Sequence, residues 1–170
     1  MNRTPPHWHD GGFTLVELIS VLVILGVLAA SLIPRFIDLR ESAHQAVVAA
    51  TAGAFGSALR LANVACIVRG WAGRDNLPGY GNGNVDFNQT CYPTDTTGNA
   101  NTIGNNNNRC LRVWNAILTN APTVTNGASG ADYRARARNN VCTYQYLPDS
   151  SVARQFNYDS CNGLVVVTNP

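Results

Sequence analysis

The chain has 170 residues, a length that suits one small domain plus an appended segment. Its formal net charge is +2, which is too small to indicate a nucleic-acid or acidic-surface partner from overall charge. Its five cysteines all follow a long apolar run and show no CxxC or Cys/His spacing. This pattern favours disulfides in an oxidising compartment over a zinc site or a cytosolic thiol protein.

The apolar run covers residues 13–33 and contains one ionisable side chain, Glu17. At about 1.5 Å of rise per residue, a helix of this length spans roughly 31 Å, enough to cross a hydrocarbon core of about 30 Å. A charged side chain inside a bilayer costs at least roughly 2.5–3.5 kcal/mol and usually marks a function. We therefore expect Glu17 to need a partner of opposite charge.

Three interpretations of this run are open. A secretory signal has an apolar region of about 7–15 residues, which is shorter than this one. A simple signal anchor leaves Glu17 unexplained, unless its carboxylate only reaches out to the lipid headgroups. A cleavable leader that precedes the run, so that the run is retained, explains most of the pattern.

The start of the run carries a specific motif. Residues 12–18 read GFTLVEL, and Pro34 follows at the end of the apolar stretch. This segment resembles the class III signal of type IV pilins and of the pseudopilins of type II secretion, in which a short hydrophilic leader ends in glycine. The resemblance covers only about the first 30 residues, and in it Pro34 corresponds to the helix-kinking proline.

The resemblance implies how this segment is processed and assembled. Residues 1–12 would be a leader that a prepilin peptidase removes between Gly12 and Phe13, after which the new amine of Phe13 is methylated. An α-amine stays cationic near neutral pH, with a pKa of about 8. Glu17 would pair with this cation of a neighbouring subunit and set its register in a helical filament.

The helical pattern continues beyond the apolar run. Residues 34–68 show apolar side chains at steps of three and four, which predicts an amphipathic second half of one helix over 13–68. The predicted stripe runs along Phe36, Leu39, Ala43, Val47, Ala50, Ala54, Ala58, Leu61, Ala65 and Val68. Its first half is expected to face lipid or filament and its second half a head domain, with a kink at Gly26 and Pro34.

The remaining residues, 69–170, are predicted to form this head. Residues 69–109 are rich in Gly and Asn and predict a surface loop, and residues 110–119 predict a short amphipathic helix. Residues 141–168 alternate and turn like a three-stranded antiparallel meander. The expected fold is therefore α+β, a pilin fold with a long N-terminal helix, transmembrane in its first half, packed on a small antiparallel sheet.

Two disulfides among five cysteines allow fifteen patterns. Cys142 and Cys161 lie near opposite ends of the first two predicted strands of the meander, which favours a bond between them. A bond between Cys91 and Cys110 would then close the Asn-rich loop and leave Cys66 on the helix unpaired.

Three arginines at period two, Arg134, Arg136 and Arg138, would line one face if this stretch is a strand. They could contact DNA phosphates or another anionic surface, but a solvated stripe or a subunit contact is the preferred interpretation. No nucleophile–base set, paired carboxylates, phosphate loop or metal spacing occurs in the sequence. We therefore expect neither an enzyme nor a cofactor nor a metal site.

The favoured function is that of a structural type IV pilus subunit of the MSHA-like class, since IPRFIDL at residues 33–39 is similar to the segment after the kink in that class. Such a subunit would sit in the inner membrane as a single-pass protein with a periplasmic head. It would then join other pilins at an assembly platform and be displayed in an extracellular filament for attachment. A secretion pseudopilin and a DNA-binding minor pilin are the alternatives, although a nucleic-acid partner is not expected.

Overall fold

A computed structural model describes residues 12–98 and 101–169 of the chain. All of the predicted leader except Gly12 lies outside the described residues. The chain divides into two compact units, Met1–Ser42 and Ala43–Pro170. One helix, α1 (Leu15–Val68), contributes residues to both units.

The end of α1 is set by a glycine. Gly70 has a φ of +61°, the left-handed region that glycine adopts at little cost. Its N–H donates to the carbonyl of Ile67 at 3.0 Å, and the N–H of Trp71 donates to the carbonyl of Cys66 at 2.9 Å. These two bonds form a Schellman motif, which satisfies carbonyls that the helix end would otherwise leave open.

The second unit contains a second helix, α2 (Asn107–Ile117), and two sheets. The small sheet pairs β1 (Asp86–Phe87) with β2 (Pro93–Asp95). The larger sheet has the order β3-β4-β5-β6-β7, with β3 parallel to β4 and all other neighbours antiparallel. Its strands are β3 (Val124–Thr125), β4 (Tyr133–Arg138), β5 (Val141–Tyr146), β6 (Gln155–Asp159) and β7 (Leu164–Thr168).

The expected α+β arrangement, a long helix followed by a small and mainly antiparallel sheet, is confirmed. The three predicted strands over 141–168 correspond to β5, β6 and β7. The sheet is nevertheless wider than predicted, because the arginine-rich stretch forms β4 and a short β3 joins it. Tyr133 and Ala135 of β4 are fully buried, so alternate residues of this strand supply core contacts.

An aromatic cluster joins α1, α2 and one face of the larger sheet. Phe55 lies at its centre, with ring centroids 5.1–5.8 Å from those of four other aromatic side chains, namely Trp114, Tyr144, Phe156 and Tyr158. All five are fully buried. Tilted and edge-on contacts at these distances add to the free energy of burying the rings.

The predicted apolar stripe on the second half of α1 was on the wrong face. The buried positions of α1 are Val48, Ala52, Phe55, Leu59, Ala62 and Cys66, whereas Leu61 and Val68 of the predicted stripe are 68% and 79% exposed. Both sets repeat at steps of three and four, because apolar residues surround much of this helix. Periodicity alone could therefore not choose between the two faces.

The predicted loop over 69–109 contains more core than its composition suggested. A second apolar cluster is built from Leu77, Val85, Phe87 and Cys91, which pack against Ala62 and Cys66 of α1. The short helix was predicted at 110–119 but begins earlier, at Asn107, because the side chain of Asn106 accepts a hydrogen bond from the N–H of Asn108.

The disulfide pattern differs from the predicted one. Cys66 bonds to Cys91 with Cα atoms 5.6 Å apart, and Cys110 bonds to Cys142 with Cα atoms 5.5 Å apart. The structure does not join Cys142 to Cys161, because Cys142 points into the core beneath α2, whereas Cys161 is an exposed free thiol after β6. The prediction of a pair between neighbouring strands ignored which face of the sheet each side chain occupies.

Trypsin places each cysteine of the chain in a different peptide, so the pairing can be read directly. Under non-reducing conditions we expect residues 61–69 linked to 75–109 and residues 110–112 linked to 139–154, with 155–170 free and alkylated at Cys161. Mass spectrometry of the digest checks this map. A linked pair containing residues 155–170 in the monomer would contradict it.

A buried carboxyl lies in the small sheet, on β1. Asp86 is fully buried, and its Oδ1 accepts a hydrogen bond from the N–H of Asn76 at 3.0 Å, whereas its Oδ2 has no partner. Burial, with smaller contributions from the nearby Asp75 and Asp95, raises the pKa of Asp86 from 3.8 to about 6. The charged form of this group therefore costs the folded state free energy.

This cost predicts a specific pH dependence. Between pH 4 and pH 6 the unfolded chain loses the Asp86 proton before the folded chain does, so this residue's contribution to stability falls as pH rises through that window. We expect the unfolding free energy of Asp86→Asn, taken relative to that of the wild-type chain, to be about 1–3 kcal/mol higher at pH 7.5 than at pH 4, because the amide stays neutral while the buried carboxyl of the wild-type chain becomes charged. Denaturant unfolding of both proteins across this range gives the difference directly. A pH-independent difference would contradict the expectation.

Candidate functional site

The motif at the start of the apolar run is fully accessible. The Phe13 side chain is 89% exposed, and Gly12 before it is exposed as well. A Cβ placed on Gly12 would meet no heavy atom within 4 Å, and the backbone there is not left-handed. The described residues therefore give no packing or conformational reason for a glycine at this position.

Glu17 has a local role that the motif analysis missed. Its Oε2 accepts hydrogen bonds from the N–H and from the Oγ1 of Thr14, both at 2.9 Å. In return, the Oγ1 of Thr14 lies 3.3 Å from the Glu17 N–H and accepts from it. This reciprocal arrangement is a capping box, and it sets the start of α1 at Leu15.

The signal for this cap is present in the sequence. A threonine followed three residues later by glutamate, directly before an apolar run, is the pattern of a capping box. Both side-chain hydrogen bonds of Glu17 use Oε2. The carboxylate keeps acceptor capacity for a cation, since an ionised carboxylate offers about four lone-pair sites.

The helix that follows presents a continuous apolar surface. The large apolar side chains from Phe13 to Ile33 are between 48% and 89% exposed. By length and composition, α1 is long and apolar enough to cross a membrane, and none of its most apolar stretch is buried. Core helices of soluble proteins and signal sequences can meet the same criterion, but a core helix would be mostly buried.

The two predicted kink positions both lie within α1. A Cβ at Gly26 would meet no heavy atom within 4 Å, so packing within the chain does not require a glycine there either. The kink itself stays a prediction at Gly26 and Pro34. A glycine inside a helix costs about 1 kcal/mol relative to alanine, so Gly26 lowers the helix stability of the apolar segment.

The predicted arginine stripe belongs to the second unit. Arg134 donates to the Oε1 of Gln145 across the sheet, whereas Arg136 and Arg138 are exposed. Among the described residues, no group of three or more His, Cys, Asp or Glu side chains could hold a metal ion. Within the described part of the chain, the candidate site is therefore the segment from Gly12 to Glu17, which contains the predicted cleavage position and the charged side chain of Glu17.

Comparison with known proteins bears on this segment. Residues 9–33 match the prokaryotic N-terminal methylation motif. A stretch of 53 residues is 55% identical to the type IV narrow pilus major component PilA5 of Thermus thermophilus, and it covers 31% of this chain and 46% of that protein. The N-terminal segment of this chain is type IV pilin-like. No solved structure matches the chain.

These matches agree with the described fold and limit the function classes. The pilin-like segment contains the predicted cleavage, methylation and assembly residues Gly12, Phe13 and Glu17, and the long helix is followed by a small sheet as in a pilin-like arrangement. The relative is named as a pilus component, which is a structural subunit and not an enzyme. The match spans about half of that relative's length and lies in the N-terminal part of this chain. It therefore supports the comparison for the long helix and not for the head.

Proposed function

We propose that the chain is the structural subunit of a type IV pilus of the MSHA-like class. A prepilin peptidase would cut it between Gly12 and Phe13 and methylate the new amine. The apolar half of α1 would hold the subunit in the inner membrane as a single span, with the head in the periplasm. Assembly with other pilins at a membrane platform would then carry the head to the cell surface, where the filament serves attachment.

The observation that carries this proposal is the accessible motif followed by an unburied apolar helix. Phe13 is 89% exposed, and none of the most apolar stretch of the helix behind it is buried within the described chain. Exposing this much apolar surface to water would be very unfavourable, at about 25 cal/mol per Å². Lipid before assembly and other α1 helices after assembly would both cover it.

The charge on Glu17 gives the assembly its register. In a filament core, a lone carboxylate and a lone ammonium are each costly to bury, and pairing them offsets much of that cost. Phe13 supplies the ammonium only after the leader has been removed. Cleavage would therefore create the partner of Glu17, which couples processing to assembly.

Two disulfides in the second unit favour display outside the cell. Cys66–Cys91 and Cys110–Cys142 close loops of 25 and 32 residues by sequence separation. Each would stabilise the head by about 3–4 kcal/mol through the lower entropy of the unfolded chain. A subunit of a short periplasmic pseudopilus has less need of such protection than one exposed on a surface filament.

The test is the intact mass of the protein in filaments sheared from the cell surface. A product that begins at methylated Phe13 and is abundant in that fraction would support a displayed pilin. The same processed mass confined to the membrane fraction would favour a pseudopilin or a minor initiating subunit instead. A chain that still begins at Met1 would refute the proposed processing, and normal surface attachment by a deletion strain would refute the role in attachment.

A further inference from the structure

An open concavity of about 610 Å³ lies at one end of the larger sheet, beside the turn between β4 and β5. Its walls come from β4, from the turn after it, from β5, and from the start of α2 with the segment that precedes it. The lining residues are Asn105, Asn107, Arg136, Ala137, Arg138, Asn139 and Thr143. They include two guanidinium groups, three carboxamides and one hydroxyl, and no carboxylate.

The walls are held together by hydrogen bonds that orient the amides. The Oδ1 of Asn105 accepts from the N–H of Asn139, and the Oδ1 of Asn107 accepts from the N–H of Ala137, both at 2.8 Å. The N–H of Gly104 donates to the Oδ1 of Asn140 at 2.7 Å. Since the Oδ1 atoms of Asn105 and Asn107 are used by the backbone, the Nδ2 donors of these two residues are left for a ligand.

The two lining arginines are free to bind. Among the described residues, neither Arg136 nor Arg138 has an ion-pair or hydrogen-bond partner through its side chain, and both are exposed. They stand two residues apart on β4, about 6.7 Å along the strand, on the same face of the sheet. The third arginine of the stripe, Arg134, is already bonded to Gln145 and does not line the concavity.

One carboxylate lies on the same face of the sheet but outside the lining. Asp159 of β6 is in register with Val141 of β5, which is itself in register with Arg138. The two oxygens of Asp159 accept from the N–H of Cys161 and from the Nδ2 of Asn162, at 2.8 and 2.9 Å. The carboxylate of Asp159 is therefore hydrogen-bonded within the turn after β6, and the net charge of the residues that line the concavity is positive.

The lining fits the chemistry of an acidic sugar. Guanidinium groups bind carboxylates with two parallel hydrogen bonds, and the amide donors suit sugar hydroxyls. The Thr143 hydroxyl donates to the Oδ1 of Asn157 at 2.8 Å, so its oxygen can accept from a sugar hydroxyl. The volume is that of a small-ligand site and not of a duplex groove. Single-stranded DNA is a poorer match, because the lining contains no aromatic side chain on which a base could stack.

We propose that this concavity binds an acidic polysaccharide, with Arg136 and Arg138 each contacting a carboxylate of successive uronic acid units. Asn105 and Asn107 would donate to hydroxyl groups between them. The proposal depends on the second unit alone and does not require that the chain forms a filament. It identifies a ligand class for the head that the N-terminal motif cannot specify.

The test uses the full chain in detergent and hexagalacturonate as the probe, with binding followed by calorimetry. Arg136→Gln combined with Arg138→Gln is expected to weaken binding at least about tenfold, because two charge-assisted contacts are lost. Arg40→Gln combined with Arg60→Gln removes the same charge from exposed sites elsewhere and is the matched control. Equal thermal midpoints for the three proteins would show that folding is unchanged.

Four outcomes would overturn the proposal. The first is the absence of binding to the wild-type chain. The second is equal binding of the methyl-esterified, uncharged hexamer, which would show that the carboxylates are not recognised. The third is equal weakening by the control pair, which would show that the effect is not specific to Arg136 and Arg138. The fourth is tighter binding of a single-stranded DNA heptamer that carries the same number of negative charges, which would assign the site to nucleic acid. Binding that requires the carboxylates and both lining arginines would support it.

Discussion

Replacing Glu17 by glutamine is expected to leave cleavage intact but to lower the yield of surface filaments about a hundredfold or more. Glutamine keeps an oxygen that can accept from Thr14, so the capping box survives. It removes the charge that would pair with the amine of Phe13. Loss of one partner of a buried ion pair costs about 3–5 kcal/mol, and every 1.4 kcal/mol is tenfold in an equilibrium constant.

The matched control is Thr14→Ala, which weakens the cap and keeps the carboxylate. We expect it to destabilise the helix start by about 1 kcal/mol and to have a much smaller effect on filament yield. Immunoblots of sheared filaments, with the mass of the cellular pool as the check on cleavage, compare the two variants. If Thr14→Ala abolished filaments and Glu17→Gln did not, the role of Glu17 would be capping and not subunit registration.

Replacing Phe55 by alanine is expected to lower the unfolding free energy of the second unit by about 3–5 kcal/mol. Phe55 is fully buried, and its ring lies against four other aromatic rings from α2, β5 and β6. Its removal would leave a large cavity where α1 meets the sheet, since rings fixed by their own neighbours cannot close around the gap. Denaturant unfolding of the full chain in detergent, followed by near-ultraviolet circular dichroism, measures the change.

Leu61→Ala on the same helix is the control for this measurement. Leu61 is 68% exposed, so truncating it should change the unfolding free energy of the monomer by less than about 0.5 kcal/mol. A similar loss from both substitutions would mean that α1 does not bury the face described above. A loss below about 1 kcal/mol for Phe55→Ala would lead to the same conclusion.

The contrast between these two positions shows where sequence reasoning reached its limit. Leu61 belonged to the stripe that periodicity favoured, and Phe55 did not, although the fold buries Phe55 and exposes Leu61. A helix with apolar residues on several faces carries no single preferred orientation. Only the shape of its partner, a sheet with Tyr144, Phe156 and Tyr158 on one face, decided which face is buried.

The cysteines illustrate the same limit. Their number and the absence of metal-site spacing predicted disulfides, and the structure has two. The pairing depended on which face of β5 holds Cys142 and on where α2 crosses the sheet. Neither is a local property of the chain, so the favoured pattern among fifteen was wrong.

Sequence by itself determined the pilin-like N-terminal motif, the long helix, the three C-terminal strands and the α+β class of this protein. These features depend on local patterns in the chain: a short sequence motif, an apolar length and short-range periodicity. Tertiary structure decided the buried face of α1, the partners of the cysteines, the joining of β4 to the sheet and the concavity beside Arg136 and Arg138. Each of these depends on residues distant in sequence that come together only when the elements pack, and no local pattern encodes which of them will meet.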